Sequence, residues 1–424
     1  MADNYVHFYS HTPLNRLGWL RTSSPFLNTC ITHPRSLFLP FHQGRPLLAG
    51  GKPAYLQLES VRALIGSEPW FGQGKAGEQA EKDKWTDGYR FRENGASLVF
   101  LGVLEDEGAR LLPSSSAKQI HTHEEIKGVP YWAVDTSASD EKWVDSLRLE
   151  TPKWSEPRPA ALTYDAVDAS LFSVGRTMVD WNGRNRFCPG CGGEQYSLWG
   201  GWKLGCLTNL PWSTNKTPVN GEACPSGKGL QNYAFPRTDG VVIIAVVRES
   251  PTVPGEEELL LGRNKPWPKG FYSVLSGFWE PGESAEDAVR REMLEEAGMV
   301  VSHVRYHSSQ PWPYPANLML GCYARAELPA SIASSTDIRA GIRLDLDNEL
   351  EDARWFTRAE VRAILGDADP DGEAVEQNIK TEEGVKIFVT PRSAVGGVLI
   401  AEWAGVVHEH KTNKGASVFQ KAGE

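Results

Sequence analysis

The sequence has few cysteines, no long apolar run and no excess of positive charge. Cysteine accounts for 6 of 424 residues, too few for a disulfide-based scaffold. The most apolar run, GVVIIAVV from Gly240, is much shorter than the ~20 residues that cross a bilayer. The formal net charge of −10 argues against a general polyanion binder, because affinity for phosphate backbones comes from clustered Lys and Arg.

The sequence predicts no secretory signal and no standard peroxisomal signal. The stretch MADNYVHFYSHTPLN has no basic segment followed by an apolar one, so no secretory signal is predicted. The sequence KAGE at the other end differs from a peroxisomal tripeptide. We therefore expect a cytoplasmic protein that does not bind membranes. The alternatives are a nuclear protein and a peroxisomal one with a non-standard signal.

Carboxylates crowd one end of a predicted helix that lies between a capping Ser284 and Gly298. Glu292, Glu295 and Glu296 stand at i, i+3 and i+4, so they share one helix face. Their charges repel each other and also oppose the helix dipole at this end. The pattern is typical either of a solvated acidic face or of a site for Mg²⁺ or Mn²⁺.

The residues around this helix distinguish these two interpretations. The stretch GFWEPGESAEDAVRREMLEEAGM, residues 277–299, fits the pattern G-x5-E-x7-R-E-U-x-E-E-x-G-U at every fixed position, where U is apolar. It resembles the Nudix box, the loop–helix–loop of the Nudix hydrolases. The resemblance implies a mixed sheet between helices and a hydrolase of nucleoside diphosphates linked to another moiety.

The resemblance also implies roles for the charged residues of the motif. Glu292 and Glu296 match the metal-binding glutamates, and Glu295 lies on the same face. Arg291 is expected to orient the carboxylates, and Glu283 to support the site or to brace Arg291. A divalent metal at such a site turns water into a nucleophile and neutralises the pyrophosphate as its bond breaks.

A second stretch, SQPWPYPANLM at residues 309–319, indicates the substrate. It resembles the SQPWPFPxS motif of NADH pyrophosphatases, with Tyr314 in place of Phe and Asn317 in place of Ser. The alternative is a stiff proline-rich surface loop. The resemblance implies that substrate is contacted by Gln310, Pro311, Trp312, Pro313, Tyr314, Pro315, Ala316 and Asn317.

Further positions match the same family. FPRTDGVVI resembles its YPRxDPxVI segment, which makes Phe235 a residue that stacks on a substrate base. Phe278 matches a second stacking position, although both rings also suit a core. Glu349 matches a further metal-binding glutamate, with Glu351 as the nearby alternative. Gly396 falls where the family offers a backbone group to the substrate.

Four of the cysteines lie close together in the sequence. Cys188 and Cys191 form a C-x2-C knuckle in RFCPGCGG, and Cys206 and Cys224 complete a set of four thiols. Such a set suits structural Zn²⁺, and the alternative is a redox CxxC pair beside two unrelated thiols. NADH pyrophosphatases carry a similar zinc ribbon after a phrase like DWNGRNRFC. The long insert before Cys224 makes it the least certain of the four ligands.

The predicted fold class is α+β, with four segments. A degenerate Nudix-like domain without catalysis is expected at residues 1–170, including a connector at residues 151–160. A linker helix and zinc ribbon follow at residues 171–234. A catalytic Nudix domain, an α/β/α sandwich with a mixed sheet, is expected at residues 235–410, and a polar tail at residues 411–424.

The predicted activity is hydrolysis of NADH, and of NAD⁺, to NMNH or NMN and AMP, by a homodimer that needs Mg²⁺ or Mn²⁺. Alternatives at the same site are removal of NAD caps from RNA and hydrolysis of ADP-ribose or dinucleoside polyphosphates. A non-enzymatic alternative is an NAD(H)-binding regulator. A nucleic-acid adaptor is disfavoured, because the basic residues near the cysteines form no dense patch: Arg184, Arg186, Lys203, Lys216 and Lys228.

Overall fold

The computed structural model describes residues 7–65, 97–110, 127–210, 224–227, 234–366 and 380–406. Backbone contacts divide the chain into two compact units. The first comprises Met1–Phe8, Thr238–Trp312 and Asn317–Glu424, and the second comprises Tyr9–Arg237 and Pro313–Ala316. Within the described residues, no helix has the length and apolar character needed to cross a membrane. The predicted tail at residues 411–424 lies outside the described residues.

A six-stranded mixed sheet forms the centre of the second unit. Its strands are β1 (Leu37–His42), β2 (Arg45–Ala49), β3 (Lys52–Pro53), β4 (Leu98–Arg110), β5 (Lys127–Asp135) and β6 (Lys153–Trp154). The order is β3-β2-β1-β5-β4, and β6 pairs with β2. Strands β1 and β5 run parallel, and the other neighbours run antiparallel.

The described residues of the second unit include the helices α1 (Ser24–Thr32), α2 (Leu58–Ile65), α3 (Pro157–Ala161) and α4 (Ala166–Arg184). The linker helix predicted before the cysteines corresponds to α4, which begins at Ala166 rather than at residue 171. The Asp165 carboxylate caps it by accepting the first-turn N–H of Asp168 at 2.9 Å. The connector predicted at residues 151–160 is wrong in part. Trp154 pairs with Leu47 of the sheet, so this segment holds a strand and the start of a helix.

A small pair of antiparallel strands lies within the cysteine-rich segment of the second unit. It consists of β7 (Gln195–Leu198) and β8 (Lys203–Cys206), joined by a tight turn at Trp199–Gly201. Gly201 has a φ of +88° and packs so closely that a Cβ would lie 2.8 Å from the carbonyl oxygen of Leu98. The turn is therefore fixed against the edge of β4, and with it the aromatic and basic residues that flank it.

A second mixed sheet forms the first unit. Its strands are β9 (Asp239–Glu249), β10 (Glu257–Asn264), β12 (Leu275–Phe278), β13 (Val301–Trp312), β14 (Asn317–Ala326) and β15 (Leu350–Thr357), while β11 (Phe271–Tyr272) and β16 (Phe388–Val389) form a separate pair. The order is β13-β14-β9-β10-β15, with β12 on β9. Strands β14 and β9 run parallel, and β10 pairs antiparallel with β9 and β15.

Helices cover both faces of this sheet, α5 (Ala285–Ala297) on one side and α7 (Arg358–Leu365) with α8 (Val395–Trp403) on the other. A short helix, α6 (Ala330–Ala333), has no buried residue. Along β9, Val242 and its alternate neighbours pack with Met293 of α5. Val241 and the intervening residues pack with Leu399 of α8. A strand buried on both faces reads as a continuous apolar run, as GVVIIAVV does. The predicted α+β class with two Nudix-like mixed sheets is confirmed.

The first unit contains a buried ion pair. The guanidinium group of Arg248 lies 2.6 Å from the carboxylate of Glu258, and their side chains are 4% and 7% exposed. The same guanidinium stacks 4.7 Å from the ring centre of Trp355. Desolvation of both charges is costly, so neither can lose its partner without leaving an uncompensated buried charge.

We therefore expect Arg248→Ala to lower the free energy of unfolding by about 3–5 kcal/mol. The matched control is Arg325→Ala, because Arg325 pairs with Glu257 at 3.4 Å on a half-exposed part of the same sheet. That control should change the free energy of unfolding by less than about 1 kcal/mol. Urea denaturation measures both, and equal losses would contradict the role of the buried pair.

Candidate active site

The acidic helix α5 begins and ends at sequence-encoded caps. The Ser284 hydroxyl accepts the N–H of Asp287 at 3.2 Å, and the Asp287 carboxylate accepts the N–H of Ser284 at 3.4 Å. Gly298 ends the helix in the left-handed region, with a φ of +63°. The capping box and the glycine cap predicted from the sequence are confirmed, and they fix which residues share the glutamate face.

Arg291 connects the acidic residues of the motif. Its Nε and Nη2 donate to the two carboxylate oxygens of Glu283 at 2.6 and 3.0 Å. Its Nη1 donates to Glu292 at 2.8 Å and to Glu295 at 3.0 Å, and its Nη2 also donates to the carbonyl oxygen of Phe278 at 2.7 Å. These contacts raise the pKa of Arg291, the bond to Glu283 contributing most. Glu283 therefore braces Arg291, one of the two roles considered for it.

Gly277, the first fixed residue of the motif, makes room for a carboxylate. A Cβ at this position of β12 would overlap the carboxylate of Glu292, which is buried. Any other residue at position 277 would displace that carboxylate or the strand. The glycine is therefore required by the close approach of α5 to β12, and its conformational freedom is not the reason.

Glu296 is the most deeply buried carboxylate of the face, with 3% exposure. Burial, followed by the charges of Glu349 and Glu292, raises its pKa to about 9. Burial also raises the pKa of Glu292, against the lowering effect of Arg291. A buried carboxylate surrounded by other carboxylates needs a proton or a cation. The chemistry of these residues, rather than their spacing in this structure, thus suits a divalent metal.

Glu349 and Glu351 differ in their surroundings. Glu349 accepts a hydrogen bond from Asn264 at 2.6 Å, and its charge acts on both Glu292 and Glu296. Glu351 forms an ion pair with Arg263 at 2.7 Å, which lowers the pKa of Glu351. Glu349 is therefore the one of the two that lies close enough to act on the glutamate face.

Sequence reasoning missed Asp347. Its charge contributes to the raised pKa of Glu296, and its carboxylate accepts the N–H of Glu349 at 3.0 Å. Acidic residues alternate in LDLDNELED, which was the available signal.

The predicted metal ligands Glu292, Glu295, Glu296 and Glu349 do not lie at metal-ligand spacing. In the described part of the chain, only the cysteine thiols converge in this way.

The side chain of Gln310 is fully buried in the first unit, and its contact with substrate stays a prediction. Its amide nitrogen donates to the carbonyl oxygen of Ser393 at 2.8 Å, and its amide oxygen accepts the N–H of Val395 at 2.8 Å. These bonds hold the start of α8, where a Cβ at Gly396 would lie 3.1 Å from Val274. Gln310 therefore positions the backbone around Gly396.

The other residues of the SQPWPYPAN stretch are divided between the two units. Pro311 and Trp312 end β13, and Asn317 pairs with Trp312 as β14 begins. The residues between them, Pro313, Tyr314, Pro315 and Ala316, belong to the second unit.

Tyr314 has aromatic and cationic neighbours in the second unit. Its hydroxyl lies 2.9 Å from that of Tyr9, and the guanidinium groups of Arg158 and Arg176 lie 5.2 and 5.4 Å from its ring centre. Arg176 also donates to the carbonyl oxygen of Pro313, and Thr177 to that of Pro315.

The two predicted stacking residues have different environments. Phe278 ends β12 in the first unit and is 60% exposed, so its ring is accessible to a flat ligand. Phe235 belongs to the second unit, where its ring centre lies 5.7 Å from that of Trp199. The ammonium group of Lys203 lies 5.5 Å from the Phe235 ring centre.

The four cysteine thiols of the second unit converge. The sulfur atoms of Cys188, Cys191, Cys206 and Cys224 all lie within 4.8 Å of one another. Cys188 and Cys224 are 3.6 Å apart, and Cys191 and Cys206 are 3.4 Å apart. Sulfur atoms at the corners of a tetrahedron with Zn–S bonds of ~2.3 Å lie about 3.8 Å apart. The spacing of the four sulfur atoms thus fits Zn²⁺. Residues 211–223 of the insert between Cys206 and Cys224 lie outside the described residues.

Comparison with known proteins agrees with this geometry. A NUDIX domain model matches residues 236–377, and a model of the NADH pyrophosphatase-like rudimentary NUDIX domain matches residues 35–181. The chain is 33% identical to the NAD-capped RNA hydrolase NUDT12 of Macaca fascicularis over 406 residues, which cover 95% of this chain and 74% of the relative. It is 33% identical to the NAD-capped RNA hydrolase of Schizosaccharomyces pombe over 372 residues, 87% of each chain.

A human relative, the mitochondrial NAD(P)H pyrophosphatase NUDT13, is 30% identical over 276 residues, which cover 64% of this chain and 65% of the relative. The domain matches and the glutamate helix define the class, which is that of the Nudix hydrolases. Within it, the chain belongs to the family of NADH pyrophosphatases and NAD-capped RNA hydrolases. The family assignment made from the sequence is confirmed.

The raised pKa of Glu296 leads to a prediction about stability. The folded protein holds this proton more tightly than the unfolded chain, in which Glu titrates near 4.3. The resulting stabilisation is complete below about pH 4 and is lost as the pH rises towards 9. Without divalent metal, Glu296→Gln should therefore raise the free energy of unfolding at pH 8 by roughly 1–4 kcal/mol, and by much less at pH 5.

Chemical denaturation at the two pH values, with and without Mg²⁺, measures this difference. The matched control is Glu295→Gln, because Glu295 is exposed on the same helix face and should give a smaller change. A Glu296→Gln protein that is less stable than the wild type at pH 8 without metal would contradict the assignment of a buried, raised-pKa carboxylate.

Proposed function

We propose that the protein hydrolyses the pyrophosphate bond of NADH and NAD⁺, giving NMNH or NMN together with AMP. Water adds across one P–O bond of the bridge, so hydroxyl joins one phosphorus atom and the oxygen of the other mononucleotide leaves. The observation that carries the proposal is the buried pair Glu292 and Glu296 behind Arg291, in a motif typical of pyrophosphate hydrolases. The names of the pyrophosphatase relatives support the choice of dinucleotide.

The proposed metal is Mg²⁺ or Mn²⁺, held by Glu292, Glu296 and Glu349. Oxygen ligands suit these hard cations, which also leave positions for water and substrate phosphates. When bound, the metal supplies a nucleophilic hydroxide near neutral pH and neutralises the pyrophosphate oxygens. Glu295 lies at the exposed edge of the same face, where it can accept a proton from water.

The remaining residues orient the reacting groups. Glu283 holds the Arg291 guanidinium so that it restrains Glu292 and Glu295. The exposed ring of Phe278 offers a stacking surface for a nicotinamide or adenine base, a contact worth about 1–3 kcal/mol per base. A substrate-stacking role for Phe235 and a homodimeric assembly stay predictions from the family resemblance.

RNA that carries an NAD cap is a second candidate substrate. The same pyrophosphate bond joins its nicotinamide nucleotide to the adenosine that begins the RNA chain. Relatives named as NAD-capped RNA hydrolases align with up to 95% of this chain, which favours this substrate over a dinucleoside polyphosphate. Competition between NADH and an NAD-capped oligonucleotide in one reaction measures the preference directly.

The activity leads to a prediction for Glu296. Replacing it by Gln removes an anionic metal ligand of similar shape, so turnover of NADH should fall by ~10²–10⁴-fold while the fold is retained. Steady-state kinetics with Mg²⁺ or Mn²⁺ measures turnover, and mass spectrometry identifies NMNH and AMP. The matched control is Glu286→Gln, an exposed position in the first turn of α5, which should keep near-normal turnover.

Two outcomes would contradict the proposal at different levels. Near-normal turnover by Glu296→Gln would remove this residue from the metal site. A tenfold or greater preference for ADP-ribose over NADH would replace the proposed substrate and leave the Nudix hydrolase assignment unchanged.

We also propose that the four thiols hold one structural Zn²⁺. Hydroxyl groups support the cluster: Thr208 lies 2.9 Å from the Cys206 sulfur, and Ser226 lies 3.0 Å from the Cys224 sulfur. Such contacts to ligand atoms orient them and stabilise thiolates. The convergence of all four sulfur atoms favours a metal over a redox pair with two unrelated thiols.

We expect about one Zn²⁺ per chain, measured by plasma mass spectrometry of the purified protein. Cys188→Ser should lower both the zinc content and the melting temperature, because the binding energy of a structural metal contributes to folding. The control is Cys322→Ser, which removes a buried thiol of the first unit and should retain zinc. Stoichiometric zinc in Cys224→Ser would show that another group is the fourth ligand.

A further inference from the structure

Cations of the second unit pack on aromatic rings around the turn between β7 and β8. The guanidinium groups of Arg16 and Arg21 lie 5.5 and 4.0 Å from the ring centre of Trp202. The ammonium group of Lys203, the next residue, lies 4.4 Å from the ring centre of Trp199. Cation–π contacts are worth about 0.5–2 kcal/mol and hold the charges in place without neutralising them.

These three cations have no acidic partner among the described residues. Burial lowers the pKa of Arg16, Arg21 and Lys203, and the charge of Arg16 helps to lower that of Arg21, to about 10. Within the described part of the chain, the buried Nε of Arg21 has no hydrogen-bond acceptor. By contrast, Arg45 of the same unit pairs with Glu141 at 3.0 Å. The described residues therefore leave positive charge uncompensated at this surface.

The backbone holds this surface rigidly. The indole N–H of Trp202 donates to the carbonyl oxygen of Phe100 at 2.7 Å, which fixes the ring against β4. Arg16 and Arg21 flank the short helical turn Gly18–Leu20, which also presents Trp19 with 65% exposure. The surface thus offers fixed cations and an accessible aromatic ring within one short stretch of chain.

We propose that the surface formed by Arg16, Trp19 and Arg21 around Trp202 binds single-stranded RNA. Phosphate groups would supply the missing partners of Arg16 and Arg21, and a base would stack on the exposed ring of Trp19. Uncompensated cations beside accessible aromatic rings are what sequence-tolerant single-strand binding requires. The inference rests on the proposed activity towards capped RNA, because free NADH carries no RNA chain.

The test separates RNA binding from hydrolysis. Fluorescence anisotropy of a labelled 15-nucleotide RNA with a 5′-phosphate measures affinity, and NADH turnover is measured on the same full-length preparations. In Arg16→Gln/Arg21→Gln we expect roughly tenfold weaker RNA binding at 50 mM salt. The slope of log affinity against log salt should shrink by about 1.4, because each single-strand phosphate contact contributes about 0.7.

Three further variants test whether the effect comes from charge at this surface. Arg45→Gln, an ion-paired arginine of the same unit, should leave RNA affinity within about twofold of the wild type. Arg16→Lys/Arg21→Lys keeps both charges and should keep most of the salt slope. Trp19→Ala should weaken RNA binding by roughly 5–100-fold without changing that slope, because a stacked base carries no counterion release.

The outcomes identify which statement fails. RNA affinity equal to the wild type in Arg16→Gln/Arg21→Gln, or no measurable binding by the wild type, would overturn this surface. Equal losses of NADH turnover and RNA affinity would also overturn it, since they indicate a structural role for the two arginines. Absence of NADH turnover in the wild type would instead reject the proposed function, whatever the RNA result.

Discussion

The glutamate face of α5 depends on the ion pairs and hydrogen bonds that Arg291 makes with its carboxylates. Three carboxylates within about one turn of helix repel each other, and one of them is almost fully buried. Arg291 offsets part of this repulsion by bridging Glu292 and Glu295, and Glu283 fixes the direction of the guanidinium group. Among the described residues Arg291 makes no bond to Glu296, so Glu296 is the carboxylate that needs either a proton or a metal cation.

Much of the site could be predicted from the sequence because its geometry is local. The caps at Ser284 and Gly298 set the register of α5, and the register decides which glutamates share a face. The choice between Glu349 and Glu351 needed the structure, because it depends on how the loop before β15 approaches α5. The burial of Gln310 could not be predicted from the sequence either, because its hydrogen-bond partners lie more than 80 residues further along the chain.

The net charge does not describe how charge is distributed over the folded chain. A value of −10 disfavours a general polyanion binder. It averages over acidic residues that are partly concentrated on the glutamate face of α5 and in surface ion pairs. Folding brings Arg16 and Arg21 to Trp202, almost 200 residues away, where no described carboxylate balances them. Local charge is a property of the tertiary structure, and composition cannot report it.

The contact between Tyr9 and Tyr314 has a consequence for how the two positions can vary. Their hydroxyl groups share a hydrogen bond, whereas Arg176 and Thr177 bind the carbonyl oxygens of the prolines on either side. Carbonyl contacts tolerate a change of side chain, but the hydroxyl contact does not. A chain with Phe at position 314, as in the related motif, removes one partner of the Tyr9 hydroxyl. We therefore expect positions 9 and 314 to change together during divergence. The bonds from Arg176 and Thr177 to the proline carbonyl oxygens are expected to persist.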